Sequence, residues 1–380
     1  MEKKVLGGRE KVRVAVAQMA AVFLDKARTV DKACQSILEA GRQGAELITF
    51  PEAFVPGYPA VYTGGWESDP KEWSPYMLAL QDNALVVGDR ETQLLAEACR
   101  QARVYAVIGC NELDDRVGSR TLFNSLFFFG RDGELLGRHR KLMPTYTERT
   151  YWGWGDASDL FVLDTDIGRI GGLICGENLM VLVKAAMMHR GEEFHIAVWP
   201  GAWSGHGHSH IMEPETDPHK GSCLIYPLIR SYAIEAQCFV LSASGLLRDG
   251  DIPERWQSLK KSPHMNYSWA VGGSAVVNPY GRFIADPTLG EETILYADCH
   301  ASQIKLSKAL FDVLGHYARW DVAQLLVRTH PWEPVVSEEE AEEWERERAE
   351  ELTWEEVKQV AEKYNMDPEA LESALDDLGV

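Results

Sequence analysis

Four side chains in this sequence, Glu52, Lys141, Glu148 and Cys175, could together carry out nucleophilic chemistry. Arg169 to Ile174 reads as a strand and Glu177-Asn178 as a helix start. Cys175 therefore falls on the tight turn between them, where Gly176 supplies unusual backbone angles. In principle this is a nucleophile elbow, which lifts a reactive side chain above a sheet. A helix N-terminus behind the cysteine favours the thiolate and lowers its pKa. The Gly176 amide N–H is placed to oppose charge on an oxyanion. Standing alone, such a cysteine is more often a small packing residue.

Glu52 closes the apolar run Leu47 to Phe50 and opens a long stretch, 56 to 88, rich in Pro, Gly, Trp and Tyr. A carboxylate shielded by aromatics has a raised pKa and suits a general base. Lys141 follows Arg138-His139-Arg140, and Glu148 comes seven residues later. A lysine held between carboxylates stays charged and stabilises negative charge on a substrate. Individually, a loop-mouth glutamate and a solvated basic patch explain these residues as well. Their joint occurrence, in order along the chain, is what points to a site. Tyr58 and Trp199 are candidates for an apolar pocket wall, with core packing an equal reading for Trp199. His206, His208, His210 and His219, among Glu213, Glu215 and Asp217, have no strong metal-ligand spacing and read as a solvated loop at a pocket entrance.

The elements that must position these groups follow from periodicity. Lys11 to Met19 alternates as a strand, and Ala27, Val30, Cys34, Ile37 and Leu38 recur at helical spacing. Further strands are predicted at 47–50, 104–110, 122–129, 134–138, 169–174, 195–199, 238–242, 270–277 and 292–298. Helices are predicted near 89–103, 178–190 and 222–236. This alternation predicts an α/β protein with helices covering sheet faces. After about residue 335 the composition changes. Ser337 to Val380 holds 17 acidic against 4 basic residues, 13 of the 20 surplus negative charges. We read 1–335 as the catalytic body and 336–380 as an acidic spacer with two short helical segments, 353–364 and 368–378.

A length of 380 residues buries a sizeable core, and 45% hydrophobic with 25% charged residues is a globular composition. The net charge of -20 argues against nucleic acid or an anionic membrane as partner. No apolar run approaches a membrane span, and Met1-Glu2-Lys3-Lys4 does not open a signal segment. Seven scattered cysteines without CxxC spacing read as free thiols in a reducing compartment, so a cytoplasmic location is expected.

Pro51-Glu52-Ala53-Phe54-Val55-Pro56-Gly57-Tyr58-Pro59 resembles the first glutamate motif of the nitrilase superfamily. His139-Arg140-Lys141-Leu142-Met143-Pro144-Thr145, with Glu148-Arg149 and Gly153-Trp154-Gly155-Asp156, looks like its lysine motif and second glutamate. Gly171 to Asn178 is similar to its nucleophile motif, and Asp312 to Asp321 resembles a segment of the nitrilase branch. The likeness spans about 11 to 330. It implies a four-layer αββα sandwich and a Glu-Lys-Cys triad, with Glu52 as base, Lys141 as electrostatic stabiliser and Cys175 as nucleophile. Glu148 would position groups and assist proton transfer. No metal or organic cofactor is implied. The resemblance also implies a homo-oligomer, at least a dimer through the helix after the cysteine, with spirals or filaments as extended forms. Many nitrilases carry tryptophan after the cysteine where this chain has Gly176, which removes bulk beside the nucleophile. The expected reaction is hydrolysis of a small organic nitrile to the acid and ammonia through a thioimidate. The alternatives are an amidase, a hydratase that stops at the amide, and a catalytically inactive assembly or binding protein.

Overall fold

A computed structural model describes residues 4–59, 69–202, 224–262 and 270–329, together with Lys358, Ala361 and Asp367. The chain divides into two compact units, Met1–His330 and Pro331–Val380. Within the second, Lys358 and Ala361 are helical, inside the predicted segment 353–364. The acidic spacer, the predicted helical segment 368–378 and the histidine run 206–219 lie outside the described residues.

Two six-stranded sheets form the first unit. One has the order β12-β1-β2-β3-β4-β5, from β1 (Lys11–Gln18), β2 (Leu47–Thr49), β3 (Tyr105–Leu113), β4 (Leu122–Phe129), β5 (Leu135–Arg140) and β12 (Thr293–His300). The other has the order β11-β10-β9-β8-β7-β6, from β6 (Leu163–Thr165), β7 (Gly168–Ile174), β8 (Phe194–Trp199), β9 (Phe239–Ser244), β10 (Gly272–Val277) and β11 (Phe283–Leu289). In each sheet three central strands run parallel, β1-β2-β3 and β7-β8-β9.

Alternation explains the layering. Val12, Val14 and Val16 of β1 join Ile170, Leu173, Ile196 and Val198 in the core between the sheets. Ala15 and Ala17, on the other face, meet Val30, Ala33 and Ile37 of α1 (Lys26–Arg42) and Leu95 of α3 (Arg90–Ala102). Both helices start on aspartates whose side chains accept backbone N–H bonds, Asp25 from Arg28 and Asp89 from Thr92. The second sheet is covered by α5 (Ile225–Ala236), whose Ile229, Tyr232 and Ala236 join the central core, and by α4 (Val181–His189). The result is the expected αββα sandwich.

The structure departs from the sequence reading at several points. The stretch 56–88, predicted as a loop, contains α2 (Pro70–Asp82). Asp69 caps this helix, Pro70 opens it, and Pro75 lies inside it. Tyr76 and Leu80 anchor it in a satellite core with Phe23, Tyr151 and Trp152, so tertiary burial overrides the unfavourable proline. Strands β6 and β11 carry no clear sequence signature. Both are edge strands, one three residues long and the other holding Pro287, which an edge tolerates. A last helix, α6 (Ala301–Leu310), follows β12 directly. Among the described residues no helix is long and apolar enough to cross a membrane, and the six described cysteines are free.

Candidate active site

Glu52, Lys141 and Cys175 each follow the end of a strand, β2, β5 and β7, so both sheets contribute to one buried cluster. Glu52 sits on a turn in which Ala53 takes a left-handed φ of 48°. That turn lies directly on β3 at Gly109, where any Cβ would come 2.0 Å from the Pro51 carbonyl oxygen. The sequence thus needs glycine opposite Glu52 for the carboxylate to reach its place.

Lys141 is 1% exposed, and its ammonium bonds Glu52 Oε1 at 2.8 Å and Glu148 Oε2 at 2.7 Å. Burial opposes its charge, but the two carboxylates hold its pKa well above the ordinary lysine value. Glu148 lies in a 3-10 turn, Tyr146–Thr150. It also accepts the Thr145 N–H at 2.6 Å and the Tyr58 hydroxyl. Its oxygens are fully engaged in holding Lys141 and Tyr58, a positioning arrangement.

Glu52 differs. Burial, chiefly, raises its pKa to about 7; Lys141 opposes this and Glu148 adds to it. Oε1 takes Lys141 and, at 2.6 Å, the Asn124 amide. Oε2 is buried without a hydrogen-bond partner among the described residues. A carboxylate with a raised pKa and an oxygen unpartnered among the described residues can accept a proton.

Cys175 is 3% exposed and adopts φ 51° itself. The expectation that Gly176 would take the unusual angles is corrected: the left-handed angle falls on Cys175 itself. The elbow leads into a 3-10 turn, Cys175–Leu179, and α4 begins only at Val181 rather than near 178. The expected lowering of the thiol pKa is also reversed. Burial, then Glu52, pushes the thiol well above its usual value, with Lys141 and the Gly176 N–H opposing. Burial and the neighbouring carboxylates thus favour the protonated thiol over the thiolate. A Cβ at Gly176 would meet only Thr145 Oγ1, at 3.4 Å, so there is space beside the nucleophile.

Tyr58 stacks edge-on against Trp152, with ring centroids 5.6 Å apart, and lines a cavity with Glu52, Phe23, Phe54, Leu246 and Leu247. Trp199 does not line it. Its indole is 1% exposed in the central core and donates to Ser242 Oγ at 3.0 Å, so the packing reading applies. Asn124 was not singled out by the sequence reading. Its signal is a lone amide in Leu-Phe-Asn-Ser-Leu-Phe-Phe-Phe, a strand buried throughout. Besides bonding Glu52, Asn124 accepts the Lys141 N–H at its carbonyl, at 2.8 Å, and so links the Glu52 carboxylate to the backbone of Lys141. Among the described residues no group of His, Cys, Asp or Glu is arranged to hold a metal ion.

A family profile described as carbon-nitrogen hydrolase matches residues 13–309. Nitrilase 2 of Arabidopsis thaliana is 35% identical over 337 residues, covering 86% of this chain and 91% of that protein. The bifunctional nitrilase/nitrile hydratase NIT4A of Lupinus angustifolius is 35% identical over 335 residues, covering 86% and 88%. Among solved structures, Saccharomyces cerevisiae Nit3 matches with a TM-score of 0.60 at 21% identity, covering 83% of this chain and 99% of that one. A carbon-nitrogen hydrolase from Helicobacter pylori matches with a TM-score of 0.61 at 18% identity, covering 82% and 96%. The last two likenesses concern the fold.

Proposed function

Because the chain belongs to the carbon-nitrogen hydrolase family, in its nitrilase branch, we propose that it hydrolyses small organic nitriles to the carboxylic acid and ammonia at Cys175. The observation that carries this reading is the Glu52 oxygen with no partner among the described residues, in a buried cluster where Lys141 neutralises the charge around a thiol.

Glu52 Oε2 takes the Cys175 proton as the sulfur attacks the nitrile carbon. The nitrile nitrogen then receives that proton, giving a thioimidate. Glu52 next draws a proton from water, whose oxygen adds to the same carbon. The nitrogen, protonated in turn, leaves as ammonia, and the acyl group remains on sulfur as a thioester. A second water releases the acid and returns the proton to Cys175. Lys141 and the Gly176 N–H oppose the negative charge of each addition, and removing such a donor costs about 3–4 kcal/mol. Glu148 and Asn124 hold Lys141 and Glu52 at the distances given above.

The bifunctional name of some relatives favours a second outcome. If the tetrahedral intermediate expels the sulfur before ammonia, the product is an amide. The test is purified protein given aliphatic nitriles, arylacetonitriles, cyanide and the matching amides, read by ammonia release and product mass. Acid with equimolar ammonia from a nitrile is expected. Ammonia from amides and none from any nitrile would overturn the reading.

The same reading extends to assembly as a homo-oligomer. Val181 and Leu182 on α4 are 75% and 68% exposed, and Ile234 on α5 is 54% exposed. Apolar side chains so displayed fit a homo-oligomeric contact, checked by light scattering. Free thiols fit a reducing, cytoplasmic setting, and the acidic segment from 336 fits an appendage to the catalytic body.

A further inference from the structure

The Glu177 carboxylate, fully buried, holds both halves of the site at once. Its Oε1 accepts the N–H of Leu142, the residue after the lysine, at 2.7 Å. Its Oε2 accepts the N–H of Ile174, the residue before the nucleophile, also at 2.7 Å. The same Oε2 is 2.9 Å from His139 Nε2, and His139 stands two residues before Lys141 at the end of β5. The other ring nitrogen, Nδ1, is 2.8 Å from Asp159 Oδ1, and Asp159 Oδ2 accepts the Arg140 N–H at 2.8 Å. With a carboxylate against each nitrogen, the imidazole donates on both sides and is an imidazolium. Burial disfavours that charge, yet Glu177 and Asp159 raise its pKa well above the ordinary histidine value.

β5 and β7 belong to different sheets, and Lys141 and Cys175 each follow the end of one of them. Among the described residues, no hydrogen bond within the catalytic cluster ties the two backbones together. Lys141 bonds Glu52 and Glu148, and Cys175 takes a left-handed φ that a non-glycine residue keeps only when its surroundings enforce it. We propose that His139 and Glu177 form a charged clamp that sets the distance between the Lys141 ammonium and the Cys175 sulfur. They are positioning residues that touch no reacting atom. The proposal rests on the nitrile-hydrolase reading for its kinetic test only. Asn178 adds to the restraint from the other side, donating to the Cys175 carbonyl at 3.1 Å and bonding His195 at 2.9 Å.

The test compares His139→Gln and Glu177→Gln, singly and combined, with the unaltered full chain. Glutamine at 177 keeps the shape but loses the charge and one acceptor. If the clamp aligns the site, kcat falls about a hundredfold in each single variant, the misplacement of a reacting group by about 1 Å. KM stays within about threefold, the thermal midpoint drops by no more than about 5 °C, and the double variant is no worse than either single. In a readout independent of nitrile turnover, iodoacetamide labels Cys175 about fivefold or more slowly in the variants, followed by peptide mass. Folded variants with kcat and labelling rate near those of the parent overturn the clamp, as do losses confined to KM. Failure of both single variants to fold would assign the pair to stability and equally overturn it. A parent protein that turns over no nitrile, but whose Cys175 labelling still depends on the pair, counts against the proposed function and not against the clamp.

Discussion

Replacing Asn124 with leucine tests the assignment of Glu52 as general base through a quantity the structure supplies. The two side chains have similar size, and the Asn124 oxygen Oδ1 has no partner among the described residues, so the change deletes one interaction. That interaction is the 2.6 Å amide bond to Glu52 Oε1. The Asn124 carbonyl still accepts the Lys141 N–H, because that bond belongs to the backbone. A buried hydrogen bond to a charged group contributes about 1.5–3 kcal/mol. It favours the carboxylate and lowers the Glu52 pKa against the burial that raises it to about 7. At about 1.4 kcal/mol per pH unit, its loss lifts the carboxyl to about 8–9. Since the ionised form is the active one, kcat/KM falls as pH drops through this value. In the parent the acid limb is therefore centred near pH 7, and in Asn124→Leu it moves up by about 1–2 units. At pH 7 the active fraction drops from one half to about one part in 10–100, a loss of about five- to fiftyfold that is recovered at high pH. The assay is ammonia release from the best nitrile between pH 5 and 10. An acid limb that stays put, or a loss uniform across the range, would refute Glu52 as the base.

Lys141→Met leaves Glu52 and Glu148 buried without their shared cation, so urea unfolding should show about 3–5 kcal/mol of lost stability together with loss of turnover. Gly109→Ala drives a Cβ against the Pro51 carbonyl. It should cost about 1–3 kcal/mol by thermal or urea denaturation and lower kcat by displacing Glu52. Gly176→Ala meets only Thr145 Oγ1. It should leave stability within about 0.5 kcal/mol in the same measurement while shifting the ranking of short against bulky nitriles in kcat/KM, since the added methyl narrows the space beside Cys175.

The one-dimensional pattern singled out Glu52, Lys141, Glu148 and Cys175, and the fold brings them into one buried cluster. Chemistry of this kind sits at strand ends, and β1, β2 and β7 announce themselves by alternation or by short apolar runs bounded by glycine and proline. The α/β class followed from the same periodicities, which depend on near neighbours, whereas the four-layer sandwich was what the family resemblance implied. What escaped has a common cause, namely contacts between residues far apart in sequence. Asn124 reaches Glu52 across 72 residues. Glu177 reaches Leu142 across 35, from the opposite sheet. Helix α2 persists despite Pro75 because Tyr76 and Leu80 find a distant core. Trp199 is a packing residue because Ser242, on the neighbouring strand, takes its N–H. The electrostatics also reversed between chain and fold. A helix N-terminus alone would acidify Cys175, but burial beside two carboxylates pushes its thiol the other way. Local order selects the reactive groups, and burial in the assembled sandwich sets their charge states, because desolvation depends on every layer packed around them.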